Sequence, residues 1–231
     1  MTSILERDPL ARTLIVLTVL SGVADAISYL GIGHVFTANM TGNIVLFGFA
    51  AAGWPGFSAL SSAVSLAGFL AGAASAGRLA VSHGGRRRWM ITALSVEASL
   101  TAVCAVISFI HGGIDFTSVK YIVIALLAFA MGVRNSTVRR LAVPDMTTTV
   151  LTLTLTGLAA DSSLAKGANP RIERRVTAVL CMVVGAYIGA VMMRHLNPGW
   201  PLLLWSGVAA SIGLYYTAAS RGAADAEPAK P

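Results

Sequence analysis

The chain has 231 residues, 55% of them hydrophobic and only 12% charged, with a mean hydropathy of +0.74 and a formal charge of +7. Soluble globular chains carry about 25% charged residues, so the composition excludes a water-soluble domain and predicts an all-α polytopic membrane protein. The positive balance then reports orientation and attraction to anionic lipid, and no nucleic-acid partner is expected. Connectors are short, so one membrane domain is expected over 1–220, followed by a polar, disordered cytoplasmic tail at 221–231.

Six apolar runs near 12–32, 57–80, 89–110, 119–136, 174–195 and 200–219 approach the roughly 20 residues a spanning helix needs. Segments 35–52 and 145–160 are shorter, more polar and broken. The N-terminal residues set Glu6 and Asp8 against Arg7 and Arg12. A cleaved signal peptide needs a positive start, so Ala24-Asp25-Ala26 is not expected to be a cleavage site. Asp25 lies well inside the first run and Glu97 well inside the third. An acid at mid-membrane is unfavourable by roughly 2.5–3.5 kcal/mol on insertion scales and faces a cavity or a partner. Two readings stand for each: proton or cation coupling, or a carboxyl hydrogen-bonded to a neighbour such as Asn39, Asn43 or Asn135.

The first broken segment reads Phe-Thr-Ala-Asn-Met-Thr-Gly-Asn at 36–43. Phe36, Ala38 and Met40 alternate with Thr37, Asn39 and Thr41, and an apolar run over Asn43–Ala52 can form a half-helix. The second alternates more regularly, Leu-Thr-Leu-Thr-Leu-Thr over 151–156, then Gly157 and a run over Leu158–Leu164. Period-two alternation predicts extended backbone with the threonines on one face. Thr41 and Thr156 would cap the following helices, with Gly42 and Gly157 permitting close approach. Such backbone is tolerated at membrane depth where protein or a water-filled cavity satisfies it, and a helix start offers N–H groups to a polar ligand. The expected substrate-binding residues are therefore Asn39, Thr41, Gly42, Asn43, Thr154, Thr156 and Gly157, with Asp25, Glu97 and Asn135 as coupling residues. The same stretches also read as caps and turns of a purely structural element.

Charge counting chooses among topologies, because short cytoplasmic loops collect Lys and Arg. With six crossings, an inside N-terminus and both broken segments returning, only Lys120 and Arg194 of the 17 basic residues fall outside. Eight crossings divide the same residues 9 against 8, and a seven-span alternative with an outside N-terminus gives 13 against 4.

The chain also repeats. Gly22-Val23-Ala24-Asp25 matches Gly132-Val133-Arg134-Asn135, Thr37 to Gly42 matches Thr152 to Gly157, and Gly68/Gly72 match Gly185/Gly189, at offsets of 110, 115 and 117. Three crossings per half, about 12–110 and 119–219, predict two inverted three-helix repeats. The two G-x-x-x-G pairs predict close helix approach within the bundle or at a homo-oligomer seam. Arg86-Arg87-Arg88 reads as a cytoplasmic anchor, and Arg139 and Arg140 as topological or anion-drawing charges. Cys104 and Cys181 read as small core residues, His34, His83, His111 and His195 are scattered, and no metal or cofactor motif appears.

The strings G-V-A-D-A-I-S-Y at 22–29, F-T-A-N-M-T-G-N at 36–43, G-V-R-N-S-T-V-R-R-L at 132–141 and T-L-T-L-T-G at 152–157 resemble the YoaK-like family of bacterial inner-membrane proteins, built around a domain of unknown function. The resemblance covers nearly the whole chain and implies about six spans in the inner membrane; it supplies no activity. On the residues, the leading expectation is a permease for an unknown small solute. A scaffold or sensor subunit binding a protein through small-residue faces is the second. An intramembrane enzyme fits worst, since no nucleophile and base pair stands out beyond a possible Asp25/Glu97 acid pair.

Overall fold

The computed structural model describes residues 9–82, 86–113, 117–141, 151–170 and 172–225. The signal-peptide argument at Glu6 and Arg7, the side chains of Arg86 and Arg87, the opening of the second polar segment at 142–150 and the tail at 226–231 lie outside the described residues. Among the described residues eight α-helices follow in order: α1 Pro9–Gly31, α2 Met40–Ala51, α3 Ala59–Ser82, α4 Arg86–Ile110, α5 Thr117–Leu141, α6 Leu151–Ala160, α7 Ile172–His195 and α8 Gly199–Asp225. No strand occurs among the described residues. In lipid every backbone N–H and C=O must find a partner inside the protein, which a helix provides along its own length.

Helices α1, α3, α4, α5 and α7 are long and apolar enough to cross a membrane, by length and composition. Helix α8, at 27 residues, is the sixth long helix but is not among those five. It continues to Asp225, so residues 221–225, expected in a disordered tail, are helical.

Glycine sets the closest packing. In α1, a Cβ on Gly22 would meet the backbone of Met182 and Ala186 on α7, and one on Gly185 would meet Val19. In α5, a Cβ on Gly132 would meet Phe69 and Ala73 on α3, while Gly68 and Gly72 lie against Ala125 and Phe129. The two G-x-x-x-G pairs therefore line seams within the chain, α1 with α7 and α3 with α5, which is the first of the two placements that their spacing allows. Residue numbers rise together across both seams: Val19 to Gly185 and Gly31 to Met193, Gly68 to Ala125 and Gly72 to Phe129. Each pair thus runs parallel. Helix α4 packs antiparallel on α8, with Glu97 against Trp205 and Phe109 against Trp200. The remaining helix neighbours are α4 with α5, α1 with α8, α7 with α8, and each short helix with the long one after it.

The two short helices correct the reading of the broken segments. At about 1.5 Å per residue, α2 (12 residues) and α6 (10 residues) are about 18 and 15 Å long, short of the roughly 30 Å hydrocarbon layer. The Leu-Thr alternation at 151–156 is helical, not extended, so Thr154 is buried while Thr152 and Thr156 are exposed. An isolated strand in lipid would leave both edges unpaired; the helix removes that cost, and this outweighs the threonines' strand propensity. Gly157 and Thr156 consequently lie inside α6, not ahead of it, and the Thr156 hydroxyl donates to the Thr152 carbonyl at 2.9 Å instead of capping. In the first half, residues 36–39 are non-helical, α2 begins at Met40, and its cap is Asn39, not Thr41.

Candidate functional site

Asn43 explains how the chain breaks before α2. Its Oδ1 accepts from the Phe36 N–H at 2.9 Å and its Nδ2 donates to the Phe36 carbonyl at 2.6 Å, so one side-chain amide satisfies both polar groups of a single residue's backbone. Nδ2 also reaches Ser65 Oγ on α3 at 3.0 Å, and that hydroxyl donates to the Phe36 carbonyl at 2.6 Å. Fully buried, Asn43 acts as a brace between the break and α3, and it does not line the expected site. Asn39 in turn accepts from the Gly42 N–H at 3.1 Å, holding the first turn of α2. Gly42 lets the Phe36 ring lie on that turn, because a Cβ there would stand 2.8 Å from the ring.

Beside this brace lies a cavity of about 590 Å³, bounded by α1, α2, α6 and α7. Both broken segments reach it: Asn39, Thr41 and Gly42 from the first, Leu151, Thr152 and Leu155 from the second. From α1 come Asp25 and Tyr29, and from α7 Met182. Asp25 Oδ1 is buried with no hydrogen-bond partner among the described residues. Tyr29 and Phe36 stack with ring centroids 4.9 Å apart and planes 24° apart, forming one aromatic wall. Of the expected binding residues, the structure brings together Asn39, Thr41 and Gly42. Thr152 takes the place expected of Thr154 and Thr156, which do not line the cavity. Gly157 packs under the Arg175 guanidinium, which donates to the Gly157 carbonyl at 2.6 Å and to Asp161 Oδ2 at 2.8 Å. That contact ties the C-terminal turn of α6 to α7.

Glu97 belongs elsewhere. It is 1% exposed and forms an ion pair with Arg134, 3% exposed, where four helices meet. Arg134 Nε donates to Glu97 Oε2 at 2.8 Å, and Nη2 donates to Oε1. Nη1 donates to Ser21 Oγ at 3.1 Å and the Leu17 carbonyl at 3.3 Å on α1. Trp205 on α8 donates its indole N–H to Glu97 Oε1 at 2.6 Å and presents its ring 5.4 Å from the guanidinium carbon. The carboxylate is thus satisfied by Arg134 and Trp205, not by an asparagine, and it faces the bundle centre instead of the cavity. Asn135 donates to the Met131 carbonyl at 2.9 Å on its own helix and is absent from the cavity lining.

The sequence reading missed Arg134 because it counted every arginine as a loop charge. The signal was present: an acid buried on α4 requires a cation, and Arg134 stands where the repeat has Ala24. Removing Arg134 from the loop charges leaves the inside majority intact.

The model of a family described as "Protein of unknown function (DUF1275)" matches residues 13–215. The chain is 32% identical over 205 residues to the UPF0700 transmembrane protein YoaK of Bacillus subtilis (strain 168), covering 86% of this chain and 89% of that protein. No solved structure matches. The chain belongs to this family, and its five long apolar helices together with that transmembrane relative support a multi-pass membrane protein.

Proposed function

We propose that this member of the DUF1275 family is a small-solute secondary transporter or permease of the bacterial inner membrane, with both termini cytoplasmic and its substrate site in the cavity between the two broken segments. The carrying observation is that cavity: polar residues from both short helices and a buried acid converge on about 590 Å³. Ligand cavities run about 300–1,000 Å³.

Helix directions support an inverted repeat. Chain order alternates α3, α4 and α5; α5 is parallel to α3, α8 is antiparallel to α4, and α7 is joined to α8 by the short turn at 196–198. Helix α7 then runs opposite to α8, and α1 is parallel to α7. Taken together, α1, α3 and α4 run down, up and down, while α5, α7 and α8 run up, down and up. Helices α1 and α3 are opposed although α2 lies between them, which fits a re-entrant α2. The neighbours repeat as well: exchanging the halves turns the α1–α7 seam into α5–α3 and maps α4–α8 onto itself. The scaffold reading loses its support, because both small-residue faces are covered within the chain.

Single cysteines at Thr41 and Leu155, with Cys104 and Cys181 replaced by alanine, test the reading. An impermeant thiol reagent applied to right-side-out and inverted vesicles should label both positions from both sides, as alternating access requires. Labelling confined to one side, or absent, refutes transport through this cavity.

A further inference from the structure

The cavity bears on the charge of its ligand, an inference that rests on the transport reading above. Among the described residues lining it, Asp25 carries the only formal charge. Its Oδ1 is buried, and no hydrogen bond from the described residues satisfies it. Within the described lining the start of α2 offers about half a positive charge at most, and one of its N–H groups is already taken by the Asn39 side chain at 3.1 Å. Among the described lining residues nothing of opposite charge compensates a carboxylate here, so a proton or a cation that enters would do so. An ion with a hard shell of six to eight oxygens finds, among the described lining side chains, two from Asp25 and one each from Tyr29, Asn39, Thr41 and Thr152, and the Asn39 oxygen already accepts from the Gly42 N–H, which leaves five. No group of three His, Cys, Asp or Glu that could hold a metal exists among the described residues. The rest of the wall is soft and apolar: the stacked Tyr29 and Phe36 rings, the Met182 thioether, and Val45, Leu46 and Leu155. Aromatic faces attract cations whose hydration is weak, and apolar surface favours a ligand that carries carbon around its charge.

We infer that the cavity binds a small monovalent organic cation of the alkylammonium class, with Asp25 as counter-charge and the Tyr29–Phe36 stack as the aromatic wall. An anion would face an uncompensated carboxylate. A neutral solute would leave the carboxylate's charge uncompensated unless Asp25 took up a proton. Asp25 holds a single negative charge, so a proton and the organic cation compete for it; occupation by one excludes the other, which is the minimal requirement for exchange.

The probes are benzyltrimethylammonium, benzoate as an anion of similar size and benzyl alcohol as the neutral analogue, added to the full-length protein in nanodiscs. Benzyltrimethylammonium should raise the unfolding temperature by several degrees, bind by calorimetry, and protect a cysteine placed at Thr41 from thiol reagent; benzoate and benzyl alcohol should do none of these. Asp25→Asn should weaken the cation at least tenfold, and Tyr29→Leu severalfold. Protection at Thr41 needs no change at Asp25, so it stands if Asp25→Asn folds poorly. Equal binding to wild type and Asp25→Asn overturns the role of Asp25. Binding of benzoate or benzyl alcohol alone overturns the ligand class, while two-sided labelling at positions Thr41 and Leu155 would still support transport. Failure of all three probes with two-sided labelling overturns only the cation, whereas failure of the labelling overturns the cavity as a transport site.

Discussion

Removing the charge of Glu97 while keeping its shape should be among the most damaging single changes in the bundle. In Glu97→Gln the side-chain oxygen still accepts from the Trp205 indole, held at 2.6 Å in the native chain, but the Arg134 guanidinium at 3% exposure loses its counter-ion. Ser21 and the Leu17 carbonyl, at 3.1 and 3.3 Å, are its remaining partners. Breaking a buried pair on one side costs about 3–5 kcal/mol because a charge is left uncompensated. For a chain of this size 1 kcal/mol moves the melting temperature by about 2–4 °C, so Glu97→Gln should melt roughly 6–20 °C lower, and Arg134→Met should fall comparably. The double variant has neither charge, and the introduced amide still accepts from the Trp205 indole; it should recover more than half of the loss. Thermal unfolding of the four proteins in one detergent measures the coupling directly. Single losses below about 2 °C, or a double loss equal to the sum of the singles, would refute a buried ionised strut joining α1, α4, α5 and α8.

Two further outcomes follow from the packing. Asn43→Ala removes the partner of the Phe36 N–H, at about 1–3 kcal/mol for an orphaned group, and leaves the Phe36 carbonyl to Ser65 alone, so it should lower the melting temperature by several degrees; Ser65→Ala should cost less, since Asn43 still holds both the N–H and the carbonyl of Phe36. Repeat-related glycines should behave alike: Gly22→Val and Gly132→Val each push a side chain into the backbone of the partner helix and should sharply reduce folded yield on gel filtration, whereas Gly207→Ala, with nothing within 4 Å, should be neutral or slightly stabilising.

The class of protein, the long helices and the paired glycine seams were legible because each rests on an additive or local signal: hydropathy over about 20 residues, and glycine where no Cβ fits. Matches at Gly22 and Gly132, and at Gly68 and Gly185, fall on corresponding seams, so the repeat carried tertiary information without any contact being known. The conformation of Leu151–Thr156 was not legible. Period two distinguishes strand from helix where one face meets water, but lipid makes satisfied hydrogen bonds the stronger demand. Asn43 was singled out for the right reason, a polar side chain at a break, with the wrong recipient: it serves the backbone at Phe36. The Arg134–Glu97 pair was hidden because its partners are 37 residues apart and charge counting treats arginine as a topological label.

The two buried acids show what separates a structural charge from an available one. Glu97 has a guanidinium, an indole N–H and almost no exposure, so nothing entering from solution can improve its position. Asp25 has an oxygen without a partner among the described residues and a cavity beside it. The repeat makes the difference sharper. Positions 24 and 25 on α1 correspond to 134 and 135 on α5, and the chain places Ala-Asp in one half and Arg-Asn in the other. On α5 the first position of the pair turns its cation to the bundle centre, where Glu97 neutralises it; on α1 the second position turns its acid to the cavity, where nothing in the described protein does. The halves therefore share a frame and differ in charge. On the transport proposal, symmetric packing would supply two directions of opening, and the carboxylate of one half would set the sign of the ligand.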